Sequence, residues 1–280
     1  MANPRLSDLR SLLQDRYSDL PDNMDTEVDA KVLQSMAARG SCRAFLDQPV
    51  PIGLLETLSA IALASPSKSD LQQRDVIFVS SQDARYKLVR LVTGQPWIAD
   101  APMIAVFCGN NRRQRLLHEW RDVPFANDHL DAFFNATVDA AIALSAFVTA
   151  AEAAGLGCCP ISAVRNDAAA VSALLDLPDH VFPVAGLAIG YPVFAPQISK
   201  RMPLKQTVHW DRFSETALQK DIADYDQHRA ASQPYQQQRY PGHFGISATY
   251  GWSEDKTRQY SRPERENFGV FVRKKGFNLD

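Results

Sequence analysis

The sequence has few cysteines and little net charge, and each shortage excludes a class of protein. Its 280 residues include four cysteines and carry a formal net charge of -2. Four cysteines, two of them adjacent at Cys158 and Cys159, do not make a disulfide framework and favour a reducing compartment such as the cytoplasm. A nearly neutral chain has no electrostatic reason to bind nucleic acid or an anionic membrane. We therefore expect neither as a partner.

The sequence signatures of common reaction centres are also missing. The six histidines have no metal-ligand spacing, and neither a GxxxxGK phosphate loop nor a GxSxG nucleophile elbow occurs. The stretch GLGCCP, Gly155 to Pro160, fails as a dinucleotide fingerprint because proline replaces its third glycine and a helix, not a strand, precedes it. We expect no metal and no obligatory catalytic side chain, since such a chain often takes its reactivity from a cofactor.

The longest apolar run, Ala132 to Gly155, is long enough to suggest a membrane span. Asn135, Asp139 and Glu152 interrupt it, and alanine is abundant. These features favour a central core helix or a subunit-interface helix instead. The N-terminal residues 1–19 carry charges throughout, so no secretory signal is expected there.

Hydrophobic patterns alternate between helices and buried strands along the chain, and a mixed, mostly antiparallel sheet between helices, an α+β fold, fits best. After Pro192 the chain is polar and dotted with prolines. The expected elements are two helices within 1–38 around residues 21–25, a short strand at 43–46, a helix starting at Pro51, a loop at 65–73, strands at 75–80, 103–109, 157–162 and 184–190, and helices at 83–92, 132–155 and 166–178.

Arg39, Ser41 and Arg43 alternate along the segment AARGSCRAF. If the segment is extended, all three side chains share one side, and their donors suit a compact anion such as phosphate or carboxylate. A solvated basic end of a helix explains the same residues, because arginines suit the helix dipole there. The spacing alone leaves both interpretations open.

Five segments in one order carry a resemblance to a known family: ARGSCRAF, ASPSKSDLQQRDVIFV, GLGCCPISAVRND, VAGLAIGYP and ISKRMP. Together they resemble the FMN-dependent nitroreductases, most of all the oxygen-insensitive NADPH nitroreductase and flavin reductase branch. The resemblance covers roughly Met36 to Leu204 and, more loosely, the tail. It implies an intertwined homodimer, an FMN-binding core at 1–204 with an N-terminal helical extension, and a C-terminal extension at 205–280 that wraps the core or the partner subunit.

The resemblance also implies roles for individual residues. Arg39, Ser41 and Arg43 would hold the FMN phosphate and ribityl chain, which makes the compact anion a phosphate monoester. Ser67 and Ser69 would lie along the flavin, and Gln72 would bond the polar edge of the ring. The remaining implied ligands are the main chain of Pro160, Ile161, Ser162 and Ala163 over one flavin face, and Lys200 and Arg201 near the phosphate and the carbonyl edge of the ring.

Four positions depart from the family pattern. Ser162 and Ala163 stand where the branch often has paired glycines, a change that keeps main-chain donors but alters the shape of the pocket. Lys200 is displaced by one position from the Lys-x-Arg pattern, so Arg201 is the better-supported ligand of the two. Arg39 stands where the close branch has histidine and adds a positive charge.

The implied activity is NAD(P)H-dependent reduction of nitroaromatic, quinone or flavin acceptors, with ping-pong hydride transfer through flavin N5. FMN would be bound tightly but non-covalently, with NADPH or NADH as the co-substrate. Phe133 and Phe134 would line the pocket for aromatic acceptors, although core packing explains them equally well. The alternatives are a specialised family reaction, either flavin destructase or reductive dehalogenase, and a non-catalytic flavin-binding protein.

Overall fold

The computed structural model describes residues 9–17, 31–92 and 94–280. Its sheet has four strands, β1 at Arg74–Val79, β2 at Met103–Asn110, β3 at Gly157–Ile161 and β4 at Val181–Gly190. The strand order is β1-β2-β4-β3, and every neighbouring pair is antiparallel. The α+β prediction with a mostly antiparallel sheet is therefore confirmed, and the strand pairs of the described residues include no parallel one.

Eleven α-helices lie within the described residues. Their bounds are α1 Leu9–Arg16, α2 Lys31–Ala38, α3 Ile52–Leu63, α4 Gln82–Leu91, α5 Arg112–Trp120, α6 Leu130–Ala153, α7 Ala168–Leu174, α8 Leu218–Ser232, α9 Pro241–Phe244, α10 Trp252–Tyr260 and α11 Phe268–Lys274. The predicted linker at 21–25, between the first two helices, lies outside the described residues.

The contacts divide the chain into two compact units. The boundary at residue 204 that the resemblance implies stays a prediction. The helical unit contains the described residues up to Arg39 together with Gln197–Glu264. The sheet unit contains Gly40–Pro196 and Arg265–Asp280. The C-terminal extension is thus shared between the units, and its last segment belongs with the sheet.

Helix α6 is the central helix of the sheet unit, and it packs against α3 and all four strands. Its buried face contains the small residues Ala136, Ala140 and Ala143, which allow the helix to lie close to the sheet. Phe147 fills the space beyond them, with its ring 5.7 Å from that of Phe107. By length and hydropathy α6 could cross a bilayer. Its packing is that of a core helix, which is one of the two alternatives that the sequence left open.

Strand β4 contains Pro183 although it lies in the interior of the sheet. Proline has no N–H for the ladder and is normally confined to edges and bulges. The register between β2 and β4 shifts between Phe107 and Cys108, and Cys108 faces Pro183. The irregularity accommodates the proline. Because pairing continues past the proline, the strand begins at Val181, three residues earlier than the periodicity indicated.

The C-terminal segment 265–280 packs on the sheet unit through an aromatic cluster and main-chain bonds. The N–H of His180 donates to the carbonyl of Lys275 over 2.8 Å, and its Nε2 lies 2.9 Å from the carbonyl of Gly276. The Phe277 ring lies 5.3 Å from the Phe182 ring. This segment belongs to the extension that was expected to wrap the core or the partner subunit, and the contacts described here are with the core of its own chain.

Other elements differ from expectation at single points. The predicted strand at 43–46 is reduced to one bridge between Phe45 and Pro192. Helix α5 occupies a stretch for which no element was predicted, because its residues are largely polar. Helix α8 escaped notice for the same reason, since within it only Asp221 and Tyr225 are buried.

Candidate active site

A nine-residue loop, called here the serine loop (residues 65–73), carries the predicted ligands Ser67, Ser69 and Gln72. The Ser67 hydroxyl accepts the N–H of Gln72 over 3.0 Å, and the Gln72 amide donates to Asp70 over 3.2 Å. Ser69, Asp70 and Gln72 have φ values of 49°, 55° and 53°. These left-handed conformations are unfavourable outside glycine and persist only when surrounding contacts hold them.

A buried carboxylate on α6 provides that hold. Asp139 is 0 % exposed. Its Oδ1 accepts the N–H of Lys68 over 3.0 Å, and its Oδ2 accepts the N–H of Gln73 over 2.9 Å. The two bonds fix both ends of the strained part of the serine loop. Asp139 interrupts the apolar run of α6 because its carboxylate is needed there.

The partner of this carboxylate is a buried arginine that holds the start of the same loop. Arg74 is 5 % exposed, and its Nη1 lies 3.8 Å from the Asp139 carboxylate. Its Nη2 donates to the carbonyls of Leu63 and Ser65 over 2.7 and 2.9 Å. Buried charges need such partners. The pair therefore joins the end of α3, the serine loop and α6.

Helix α5 also contacts the loop. Arg113 Nη2 donates to the carbonyls of Gln72 and Arg74 over 2.7 and 2.9 Å, and the Gln114 amide donates to the carbonyl of Leu71 over 3.1 Å. These bonds give main-chain carbonyls of the loop and of the start of β1 side-chain donors from α5. The serine loop is thus held from three sides by side chains of the sheet unit.

A second set of predicted ligands lies where the chain leaves α2. The N–H of Cys42 donates to the carbonyl of Cys158 in β3 over 3.0 Å. A Cβ atom at Gly157 would lie 2.6 Å from the Cys42 sulfur, so this close approach requires glycine. Burial raises the pKa of the Cys42 thiol, which makes it a poor nucleophile. Its neighbours Ser41 and Arg43 are half-buried and exposed, respectively.

The exposed guanidinium of Arg43 lies over an aromatic ring. Its central carbon is 5.9 Å from the ring centroid of Trp97. The half-buried Trp97 packs against the apolar core of the sheet unit. Cation–π contact restricts an otherwise flexible side chain. The contact with Trp97 therefore orients the Arg43 guanidinium although the residue is exposed.

The segment Pro160–Ala163 runs along the sheet edge formed by β3 and continues into a short turn. Pro160 and Ser162 are exposed, whereas Ile161 and Ala163 belong to the buried core. Any contact of the two buried residues with a ligand must use the main chain. This alternation agrees with the expectation that the segment offers main-chain groups to a flavin.

In the helical unit, the predicted ligands Arg39, Lys200 and Arg201 gather around Arg16. Arg16 Nη2 donates to the carbonyl of Arg39 over 2.6 Å, and the Arg201 N–H donates to the carbonyl of Arg16 over 2.9 Å. The Lys200 ammonium lies 3.1 Å from the Asp15 carboxylate. The exposed Arg201 guanidinium lies 3.4 Å from the Lys200 carbonyl. Arg201 thus has the more exposed cationic group of the two.

Two family descriptions match the chain along most of its length. Residues 36–191, more than half of the chain, match the nitroreductase family, and residues 199–280 match the nitroreductase family C-terminal domain. The chain belongs to the nitroreductase family. This assignment confirms the resemblance seen in the five sequence segments.

Individual nitroreductases support the same assignment. The chain is 31% identical over 253 residues to a Bacillus subtilis protein named FMN reductase [NAD(P)H], covering 89% of this chain and 99% of that protein. It is 32% identical over 198 residues to the oxygen-insensitive NADPH nitroreductase of Salmonella typhimurium, covering 71% of this chain and 80% of that protein. The structure of NfrA2 from B. megaterium has a TM-score of 0.81 at 28% identity, covering 89% of this chain and 98% of that one.

The donors of this nitroreductase fit FMN. Arginine and lysine side chains have only hydrogen-bond donors and suit a phosphate dianion. Gln72 is exposed, and its side chain has a donor and an acceptor, which suits a ring edge that carries both kinds of group. The roles of the individual residues remain predictions.

The two phenylalanines predicted for the acceptor pocket have different surroundings. The Phe133 ring lies 4.7 Å from Phe182 and 5.8 Å from Phe277, inside the aromatic cluster that holds the C-terminal segment. Phe134 is 59% exposed. Of the two, Phe134 is the side chain that a ligand can reach without displacing core contacts.

Sequence reasoning missed the residues that hold the ligands in place. The position of Asp139 inside a long apolar run could have identified it, because a charged side chain is buried there only when it is paired. Nothing in the sequence pattern indicates the roles of Arg74 and Arg113, since those roles depend on carbonyls that come together only in the folded chain. Arg16 lies in α1, which precedes both matched regions.

Proposed function

We propose that this chain is an FMN-dependent oxidoreductase that uses NADPH or NADH to reduce small aromatic or quinonoid acceptors, including nitroaromatics and free flavin. The observation that carries the proposal is the near full-length similarity to a protein named FMN reductase [NAD(P)H]. Bound FMN supplies hydride acceptance and donation at its N5 atom. The polypeptide supplies binding, orientation and positive charge.

The proposed role of each ligand follows from its chemistry and mobility. Arg39, Ser41 and Arg43 hold the phosphate and ribityl chain, and Lys200 and Arg201 add positive charge. Ser67, Ser69 and Gln72 orient the ring through a loop whose conformation is fixed before binding. Such preorganisation lowers the cost of placing the ring for reaction. The main chain of Pro160–Ala163 lies against one face of the ring.

The purified protein tests the proposal. We expect a yellow preparation whose visible flavin absorbance disappears on anaerobic addition of NADPH or NADH and returns on addition of a nitroaromatic or a quinone. A yellow protein that neither nucleotide reduces would indicate a non-catalytic flavin-binding protein. A colourless protein that does not take up added FMN would refute the proposal.

We further propose that the protein is a homodimer, in the cytoplasm. All four cysteines are buried and none forms a disulfide with another, in keeping with a reducing compartment. The exposed apolar side chains of α3 and α6 favour a second copy as the partner. They include Ile61 at 54% and Phe134 at 59% exposure. Large exposed apolar patches mark interaction sites.

Replacing Val138 with aspartate is expected to convert the dimer into monomers, because it places a charge among the exposed apolar side chains of α6, of which Val138 is 36% exposed. Analytical ultracentrifugation measures the mass of the wild type and the variant. Tyr86→Asp, on the exposed face of α4, is the matched control and is expected to leave the mass unchanged. A wild-type protein that sediments as a monomer at all concentrations would exclude the homodimer.

A further inference from the structure

The N-terminal helix α1 places a buried arginine among the predicted phosphate ligands of the helical unit. Arg16 is 6% exposed. Its guanidinium donates to the carbonyls of Ala37, Arg39 and Ser199, over 2.8, 2.6 and 3.2 Å. One side chain therefore bridges two segments that are far apart in sequence.

These two segments carry the cations that were assigned to the phosphate. Ala37 and Arg39 end the first segment, and Ser199 directly precedes Lys200 and Arg201 in the second. The bridge is reinforced on its second side, because the N–H of Arg201 donates to the carbonyl of Arg16 over 2.9 Å. The position of both segments thus depends on α1.

Side chains around α1 hold the same arrangement. Leu12 and Ala37 form a small apolar cluster with Ile198 packed against it. The Tyr225 hydroxyl of α8 donates to the carbonyl of Lys200 over 3.1 Å, and the Gln233 amide donates to the carbonyl of Ile198 over 2.6 Å. The second segment is therefore held on one side by α1 and on the other by α8.

The charges in this arrangement are mostly positive. Burial lowers the pKa of the Arg16 guanidinium, and the nearby charges of Arg201 and Arg39 lower it further. Tyr17 and Asp15 act on this pKa in the opposite direction, and the Asp15 carboxylate is bonded to Lys200. A cluster of like charges is unfavourable without an anion, and a phosphate group would offset it.

We propose that Arg16 is a positioning residue for the phosphate end of the cofactor site, acting through Arg39 and the segment Ser199–Arg201. The inference rests on the proposed function. It assigns to α1, which lies outside both matched family regions, a role in the choice of FMN over an unphosphorylated flavin. Arg16 itself does not need to touch the cofactor, because its donors are engaged by main-chain carbonyls.

Arg16→Gln tests this role, with FMN and riboflavin as the two probes. The apoprotein is titrated with each flavin, and quenching of flavin fluorescence gives the two dissociation constants. Riboflavin has the same ring but no phosphate. We expect Arg16→Gln to raise the dissociation constant of FMN by about tenfold or more, as for loss of a charge-assisted interaction, and to leave that of riboflavin nearly unchanged.

Two further variants keep the test decisive. Arg16→Lys retains the charge but not the fork of donors, and we expect it to fold and to lose part of the preference for FMN. Gln14→Ala, at an exposed position of the same helix, is expected to keep the wild-type ratio of the two constants. If the Arg16→Gln variant does not fold, the Arg16→Lys ratio decides.

Three other results of the flavin titrations would count against the role of Arg16 or against the proposed function. An equal loss of FMN and riboflavin affinity would show that Arg16 only supports folding and would overturn the inference. Unchanged affinity for both flavins in the Arg16 variants would overturn it as well. Failure of the wild-type apoprotein to bind either flavin would refute the proposed function itself, which separates the two claims.

Discussion

Replacing Asp139 with asparagine is expected to lower the free energy of unfolding by about 3–5 kcal/mol, because removing one partner of a buried ion pair leaves the other charge unpaired. The same change should weaken FMN binding. An asparagine side chain has one acceptor oxygen, whereas Lys68 and Gln73 each donate an N–H to a separate carboxylate oxygen of Asp139. The serine loop then loses one of its two hydrogen bonds to α6. Urea denaturation and FMN titration measure the two effects.

Asp131→Asn is the matched control, because Asp131 lies on the same helix and is exposed. Its loss should change the free energy of unfolding by less than about 1 kcal/mol, the usual contribution of a charge near a helix N-terminus. FMN affinity should be unaffected. A similar loss in both variants would mean that the effect belongs to α6 as a whole and not to the buried carboxylate.

A double replacement separates stability from loop anchoring. Asp139→Leu combined with Arg74→Met removes both charges, and such apolar pairs often recover the stability that a single replacement loses. The main-chain N–H groups of Lys68 and Gln73 would still lack their acceptor. We therefore expect partial recovery of unfolding free energy without recovery of FMN affinity. Wild-type FMN affinity in this variant would contradict the assigned role of Asp139.

Arg43→Ala is expected to raise the dissociation constant of FMN roughly 10- to 150-fold, which corresponds to about 1.5–3 kcal/mol for a hydrogen bond to a charged group. The fold should stay intact, since Arg43 is exposed and its aromatic contact is with the rim of the core. Flavin titration of the apoprotein measures the constant, and circular dichroism checks the fold.

The chain offers a close control for this change. Arg90 lies over the ring of Tyr86 at 5.5 Å, on the exposed side of α4, so Arg90→Ala also removes an arginine from an aromatic face. FMN affinity should not respond to it. If the two alanine variants lose affinity equally, or if neither does, Arg43 is not a phosphate ligand.

The sequence pattern predicted those parts of the fold whose burial is uniform. The strand at Met103–Asn110 is almost entirely buried and reads as a continuous apolar run. The long alanine-rich run became α6, the central helix. By contrast, α8 could not be found from periodicity, because it buries only two of its side chains, one of them the charged Asp221. The start of β4 was hidden by Pro183, whose tolerance depends on an irregularity in the neighbouring strand.

The candidate site shows a similar division. The predicted ligands were found because their residue types suit a flavin nucleotide and their order resembles a family. The residues that hold these ligands were not found from the sequence, because they are far from the segments they contact. Asp139 is 66 positions from Gln73, and Arg16 is 183 positions from Ser199. A single sequence does not show which distant main-chain groups a buried charge will meet. Only the folded chain shows that the serine loop is fixed by α6.

The central claim is that FMN binds against the serine loop and Arg43 of the sheet unit. A crystal structure of the protein grown with FMN tests it most directly. We expect one flavin per chain, with its phosphate within hydrogen-bond distance of the Arg43 guanidinium and a polar edge of the ring facing Gln72. A flavin bound elsewhere, with Arg43 and Gln72 both in solvent, would contradict it.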